Sequence, residues 1–254
     1  MSFGIGVAAG IFGGLIGGGG GVIMIPLMVG ILKLDQIKAH GISLVALVFT
    51  GLVGAAVYAY HGSVDVTASL LMASTGIITA RYGAYFAHSL SEWKLKRSFG
   101  VFLVLISISL LFKHSLSHLY TPFTGWMKIA LLLLTGACTG FLSGMMGVGG
   151  GGIMIPVLVL FAGFDQHLAQ GSSLLAMVPA GCVGAYTHWK LGNVRTEVLR
   201  GLVPGILLGT FLGGTVAHLM SDAALRIVFA SILTWMGVRY LMVRRPVEAN
   251  ISTV

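Results

Sequence analysis

The sequence predicts an all-α polytopic membrane protein built from two homologous repeats. Hydrophobic residues make up 56% of the 254 residues and charged residues only 9%, against about 25% charged residues in a typical soluble domain. Apolar runs long enough to span a bilayer recur from end to end. One glycine-rich stretch occurs twice, 130 residues apart, as GIFGGLIGGGGGVIMIPLM from residue 10 and GFLSGMMGVGGGGIMIPVL from residue 140.

The repeat extends well beyond the glycine runs. The same offset places Asp35-Gln36 on Asp165-Gln166 and Gly62 on Gly192 without a gap. An ungapped match over most of each half indicates an internal duplication. We therefore divide the chain into a first transmembrane repeat at 1–112, an inter-repeat loop at 113–125, a second repeat at 126–243 and a polar tail at 244–254.

Each repeat is predicted to contain one broken helical segment and three further spanning helices. A glycine run cannot continue a helix cheaply, at about 1 kcal/mol per residue relative to alanine. Pro26 and Pro156 follow the glycine runs and suit the first turn of a new helix. We therefore predict helix, break and helix in each copy. The predicted segments are 3–32 (broken), 39–61, 66–88 and 98–112, then 126–162 (broken), 168–190, 198–220 and 224–243.

The distribution of Lys and Arg separates two topologies. If each broken segment crosses the membrane, the halves are parallel and the two sides hold six and eight basic residues. If each is a re-entrant hairpin, the second half is inverted and the sides hold eleven and three, with Arg81 inside the membrane. Basic residues favour the cytoplasmic side, so we prefer inverted repeats with both termini cytoplasmic. The arm 126–146 is long enough to span, and a full crossing there would change the count.

The paired motifs resemble a known family. GLIGGGGGVIMIPLM and GMMGVGGGGIMIPVL, each followed by a G-x-S-L segment at 41–44 or 171–174 and a G-x-V turn at 62–64 or 192–194, resemble the TauE/SafE sulfite exporter family over essentially the whole chain. The resemblance implies a bacterial inner-membrane protein that moves sulfite or an organosulfonate such as sulfoacetate, mostly outward. His40 stands where the second repeat has Gln170, so the two half-sites differ.

A small oxyanion needs several N–H or O–H donors and a positive potential. Glycine runs supply backbone N–H groups that no side chain covers, and the following helices aim their positive ends at the same region. Close helix packing is the alternative explanation of these glycines. The candidate substrate-binding residues in the breaks are Gly17, Gly18, Gly19, Gly20, Gly21, Gly147, Gly149, Gly150, Gly151 and Gly152.

Six polar residues complete the candidate site. Ser43, Ser172 and Ser173 could donate O–H groups, or bond their own helix backbone instead. His40 and Gln170 could line the cavity, or be solvated at segment ends. Arg81 lies inside a span, where an ionisable group indicates function, but it could also extend to the interface. The expected mechanism is alternating access around a site near the midplane.

Several other functions are disfavoured. All seven acidic residues fall in loops, at segment ends or in the tail, so a membrane enzyme using Cys182 or His188 lacks an acid–base set. A permease for another small anion stays open as an alternative, whereas a metal-cation permease lacks an acidic lining. The net charge of +8 orients the protein in the bilayer rather than binding nucleic acid. We expect no cofactor and no metal site, and the sequence leaves a homodimer open.

Overall fold

The computed structural model describes residues 1–86, 92–112 and 122–242, so most of the predicted inter-repeat loop and the whole polar tail lie outside the described residues. Within those ranges the chain forms ten α-helices and no strand. The helices are α1 (Ser2–Ile16), α2 (Gly21–Ile31), α3 (Gln36–Tyr60), α4 (Val66–Phe86), α5 (Glu92–Leu111), α6 (Gly125–Met146), α7 (Gly151–Leu160), α8 (Gln166–Lys190), α9 (Thr196–Leu219) and α10 (Asp222–Leu241).

Five of these helices are long and apolar enough to cross a membrane, namely α3, α6, α8, α9 and α10. The prediction of an all-helical, multi-pass membrane protein is therefore confirmed. The set differs from the predicted spans in two ways. It includes α6, which the sequence assigned to a broken segment, and it omits α4 and α5. Helix α4 carries Arg81 within its apolar sequence.

In each repeat, a glycine in the left-handed conformation ends the helix that precedes the glycine loop. Helix α1 ends at Ile16, where Gly17 has φ 71°, and α6 ends at Met146, where Gly147 has φ 64°. Glycine adopts this conformation without steric cost, which is why it commonly terminates helices. The next helices begin at Gly21 and Gly151.

The prolines do not start these helices, and that expectation is wrong. Pro26 lies inside α2 and Pro156 inside α7, in each case five residues after the first helical residue. A proline at that depth cannot donate the backbone hydrogen bond to residue i−4. The glycines, rather than the prolines, therefore set where α2 and α7 begin.

Glycine stripes allow two close, parallel helix pairs. A methyl group added at Gly6 of α1 would lie 2.3 Å from the carbonyl oxygen of Leu202 in α9. A methyl group added at Gly10, four residues later, would lie 2.7 Å from the carbonyl oxygen of Ile206, which is also four residues later in α9. Helices α1 and α9 therefore run in the same direction. Helices α4 and α6 pair in the same way through glycines of α6. Small residues permit such backbone approach within a bilayer.

The helices at the centre of the bundle are antiparallel. Gly51 of α3 contacts Val178 of α8, and Leu44, earlier in α3, contacts Gly184, later in α8. Helices α5 and α10 are also antiparallel, with Ser107 and Thr234 hydroxyls 2.8 Å apart. Helices α8 and α10 are the 130-residue counterparts of α3 and α5. Each pair therefore joins equivalent helices that point in opposite directions.

The helix ends define two faces of the molecule. The N-terminal face carries the start of α1, the loops 32–35 and 191–195 and the end of α10. The opposite face carries the loops 61–65, 161–165 and 220–221. Helix α2 lies on the side of the molecule that is near the N-terminal face, because its Met28 packs in an apolar cluster with Ile5, Ala39 and Leu202.

Candidate functional site

The two glycine loops, 17–20 and 147–150, touch each other directly. A methyl group added at Gly21 would lie 2.5 Å from the carbonyl oxygen of Gly147. A methyl group added at Gly149 would lie 2.5 Å from the Gly18 carbonyl oxygen, and one added at Gly151 would lie 2.5 Å from the Gly18 Cα. Any larger side chain at these positions would separate the loops. The glycines predicted from the two repeats thus meet near the middle of α3, whose Leu47 contacts both loops.

Equivalent serines hold the loops from the opposite repeat. The Ser43 hydroxyl of α3 lies 2.6 Å from the Gly147 carbonyl oxygen and 2.9 Å from that of His40. The Ser173 hydroxyl of α8 lies 2.9 Å from the Gly17 carbonyl oxygen and 2.8 Å from that of Gln170. Both serines are fully buried. Each hydroxyl therefore lies between a loop carbonyl of the other repeat and a carbonyl of its own helix, and does not point freely into a cavity. Each repeat in this way fixes the loop of the other repeat.

Backbone N–H groups at the starts of α2 and α7 remain as donors. The first N–H groups of a helix have no acceptor within the helix, and they carry its positive end. The Gly150 N–H contacts the Met177 thioether sulfur at 3.2 Å. A thioether is a weak acceptor, so an oxyanion oxygen would be a better partner for this group. Backbone donors at helix starts are generally suited to anions.

A partly open cavity of about 520 Å³ leads from the N-terminal face to the loops. Its inner wall contains Gly21 and Val148, and its polar lining is Gln36, His40, Arg239 and Tyr240. Sequence reasoning proposed His40 but missed the other three. Arg239 was counted only for topology, although it is the one basic residue in the last turn of α10.

An apolar constriction closes the inner end of this cavity. Val22, Val148 and Met236 line both the large cavity and a second space of only about 20 Å³ behind the loops. That smaller space is lined by apolar side chains and glycines, including Phe12 and Phe229. It is too small for an ion larger than a water molecule. The path from the N-terminal face therefore stops at the loops.

The second half-site, around Gln170, is buried against the opposite face. The Tyr58 hydroxyl donates to the Gln170 side-chain oxygen at 2.7 Å and lies 3.1 Å from the Gly14 carbonyl. Within the described part of the chain, several buried polar atoms lack a hydrogen-bond partner. These are Gln166 Nε2 and Oε1, Gln170 Nε2, Thr210 Oγ1 and His218 Nε2. All belong to the second repeat, so the two half-sites differ in the hydrogen bonding of their buried polar atoms as well as in sequence.

Two predicted residues lie away from the loops. The Ser172 hydroxyl accepts from the Asp65 N–H at 2.9 Å and so faces α4 and the loop 61–65. Arg81 is exposed on α4 and does not line the large cavity.

Asp35 lies beside Gln36 at the N-terminal face. The hydrogen bond that Lys38 donates to it, at 2.8 Å, lowers the pKa of the Asp35 carboxyl.

Replacing Tyr58 with phenylalanine tests how much the second half-site depends on its hydroxyl. The change leaves the Gln170 oxygen without this donor in a buried setting, which costs about 1–3 kcal/mol. We expect Tyr58→Phe to lower the unfolding midpoint in detergent clearly. Tyr60→Phe, on the same helix with its side chain 88% exposed, is the control and should leave the midpoint unchanged. Equal midpoints for both variants would contradict the assignment.

Nearly the whole chain matches one protein family. The family model described as Sulfite exporter TauE/SafE matches residues 2–247. The chain belongs to the TauE/SafE sulfite exporter family. The family recognised in the glycine motifs is therefore confirmed, and this TauE/SafE chain is a membrane transporter.

Curated relatives of this TauE/SafE chain carry transporter names. YunE, a probable membrane transporter protein of Bacillus subtilis (strain 168), is 26% identical over 255 residues, which cover 92% of this chain and 93% of YunE. A probable membrane transporter protein of Methanocaldococcus jannaschii is 25% identical over 94% of this chain and 93% of its own length. One from Haemophilus influenzae is 31% identical over 45% of this chain and 46% of its own length. No solved structure gives a significant match.

Proposed function

We propose that this TauE/SafE transporter exports a small sulfur oxyanion, sulfite or an organosulfonate such as sulfoacetate. The observation that carries the proposal is the direct contact of the two glycine loops at the inner end of a cavity lined by Arg239. Backbone N–H groups of the loops and the positive ends of α2 and α7 would bind the anion. Arg239 would attract it into the cavity from the N-terminal face.

The repeats are inverted in this proposal, and each broken segment is a re-entrant hairpin. The antiparallel contact of the equivalent helices α3 and α8 supports inversion, because parallel repeats would keep equivalent helices pointing the same way. Helix α1 has 15 residues, or about 22 Å of length at 1.5 Å per residue, too short for a bilayer core of about 30 Å. The charge distribution would place both termini in the cytoplasm.

The longer α6 fits the same arrangement. Its last residue, Met146, is the counterpart of Ile16, the last residue of α1. The 130-residue offset maps α1 onto 132–146, so the extra length of α6 is at its start, residues 125–131. Trp126 in that extension is 78% exposed, as expected for an aromatic residue at an interface. The added turns would extend α6 toward the opposite face without carrying its glycine loop deeper.

Transport would proceed by alternating access. The described conformation has a cavity on the N-terminal face and a closed second half-site. Opening the opposite face would hydrate the buried polar atoms of Gln166, Gln170 and Thr210, which could then receive the anion. Movement past Val22, Val148 and Met236 would accompany the switch, because these residues form the constriction.

Flux measurement in liposomes tests the proposed substrate. Purified protein would be reconstituted, and entry of sulfite, sulfoacetate, sulfate and chloride followed with and without a pH gradient. We expect sulfite or sulfoacetate flux to exceed that of chloride by at least about tenfold. Folded protein that moves none of these anions would overturn the proposal, and cation flux would then be measured, because a metal-cation permease and a membrane enzyme are the alternatives that remain without anion flux.

A further inference from the structure

Three potential metal ligands converge on the opposite face, away from the cavity and the loops. Asp165, His167 and Asp222 each offer one ligand atom, and these atoms lie within 4.8 Å of one another. Asp165 precedes α8, His167 lies in its first turn, and Asp222 is the first residue of α10. The group therefore joins the starts of two helices from the second repeat.

The hydrogen bond of His167 indicates which of its ring nitrogens carries the proton in the neutral ring. The Nε2 atom lies 3.1 Å from the Ala217 carbonyl oxygen. A carbonyl oxygen only accepts, so Nε2 carries the proton in the neutral ring and Nδ1 carries a lone pair. Nδ1 faces the Asp222 Oδ1 atom at 3.7 Å. Two acceptors therefore face each other, which favours a cation or an additional proton between them.

The spacing between His167 Nδ1 and Asp222 Oδ1 fits two ligands of one metal ion better than a hydrogen bond. Hydrogen bonds from nitrogen to oxygen are about 2.7–3.2 Å long. Two ligand atoms each about 2.1 Å from a tetrahedral zinc ion lie about 3.4 Å apart, close to the observed 3.7 Å. A histidine that ligates a metal usually donates its other ring N–H to a carbonyl or carboxylate. The bond to Ala217 supplies that arrangement.

The charge around the group favours a divalent cation. Asp165 and Asp222 are both acidic, and the Arg226 guanidinium lies 3.5 Å from Asp222 Oδ2. With a neutral His167 the group carries a net charge of −1. Asp222 Oδ1 also accepts the backbone N–H of Gln166, and Asp165 Oδ1 accepts that of Leu168 at 2.7 Å. Both carboxylates keep a free lone pair for a metal.

We propose that Asp165, His167 and Asp222 bind a zinc ion on the opposite face, with water completing the coordination. Imidazole and carboxylate ligands suit zinc. The ion would tie the start of α8 to the start of α10. Through the His167–Ala217 bond it would also tie both helices to the end of α9. These elements surround the buried second half-site, whose polar residues include Gln166 and His218. Zinc would therefore stabilise the closed opposite face.

Titration of metal-free protein with zinc chloride in detergent tests the site without measuring transport. Isothermal titration calorimetry should give one zinc per chain for the wild type. His167→Gln retains a donor for Ala217 but removes the ligating nitrogen, and should weaken zinc binding by at least about tenfold. Asp35→Asn, at the repeat counterpart of Asp165, and His61→Gln, a histidine on the same face, are the controls and should bind zinc as the wild type does.

The outcomes separate a metal site from an ion pair. Zinc binding that His167→Gln leaves unchanged, or no stoichiometric zinc binding at all, would overturn the proposal and leave His167 and Asp222 as an ion pair. A second readout rests on the proposed function: zinc added on the side of the opposite face should slow anion flux in the wild type but not in His167→Gln. Stoichiometric zinc binding by protein that moves no anion even in its zinc-free form would refute the transport proposal while supporting the metal site.

Discussion

Gly151→Ala is expected to lower anion flux by at least about tenfold in liposomes. The added methyl group would lie 2.5 Å from the Gly18 Cα and 2.7 Å from the Gly17 carbonyl oxygen. Both neighbours are backbone atoms, so the side chain cannot avoid them by rotation and the two loops must move apart. Overpacking of this kind costs about 1–3 kcal/mol, and each 1.4 kcal/mol is a factor of about ten in rate.

Two matched variants separate an effect on the site from a general loss of stability. Gly30→Ala, in α2, meets no atom within 4 Å, and should leave flux unchanged. Gly6→Ala would meet the Leu202 carbonyl at 2.3 Å, so it strains the α1–α9 contact far from the loops. It should lower the unfolding midpoint while keeping flux per folded molecule. Equal flux losses in Gly6→Ala and Gly151→Ala would indicate that the glycine loops serve helix packing and not anion binding.

Charge reversal at Arg239 is expected to be the next most damaging change. Arg239→Glu places a negative charge at the cavity and repels the anion that the wild-type residue attracts. We expect anion flux at low ionic strength to fall at least about tenfold, and the deficit to shrink at high salt because ions screen exposed charges. The readout is initial flux as a function of both anion and salt concentration.

Arg200→Glu provides the control for this charge reversal. Arg200 is exposed near the start of α9, on the same face, and does not line the cavity. It should change flux only slightly, because a charge outside the cavity is screened by solvent. If Arg200→Glu and Arg239→Glu reduced flux equally, the effect would come from the net charge of the face, and the cavity would not be the entry path.

Sequence reasoning identified the elements that backbone chemistry dictates. Glycine disfavours a helix interior by about 1 kcal/mol per residue, so the sequence predicted breaks at the two long glycine runs, where α1 and α6 end at Ile16 and Met146. The 130-residue offset likewise identified α3 with α8. The prolines were misplaced because the left-handed glycine conformation, rather than proline, determines the helix start.

Side-chain roles that depend on long-range contact could not be derived. Ser43 and Ser173 bind carbonyls that lie 104 and 156 residues away, and no local pattern encodes such a partner. Arg239 lines the cavity because the end of α10 and the start of α3 border the same space, which is a property of the bundle. The pairing of His167 with Asp222 has the same origin.

The central claim is that the paired glycine loops bind a sulfur oxyanion. Selenite has the trigonal-pyramidal shape of sulfite and scatters X-rays anomalously, so crystals of the protein with both cysteines replaced by serine would be soaked in it. The account predicts an anomalous selenium peak beside the loops, with selenite oxygens within hydrogen-bonding distance, about 3 Å, of the N–H groups of Gly21 or Gly151. Anomalous peaks confined to the protein surface, with none at the loops, would contradict it.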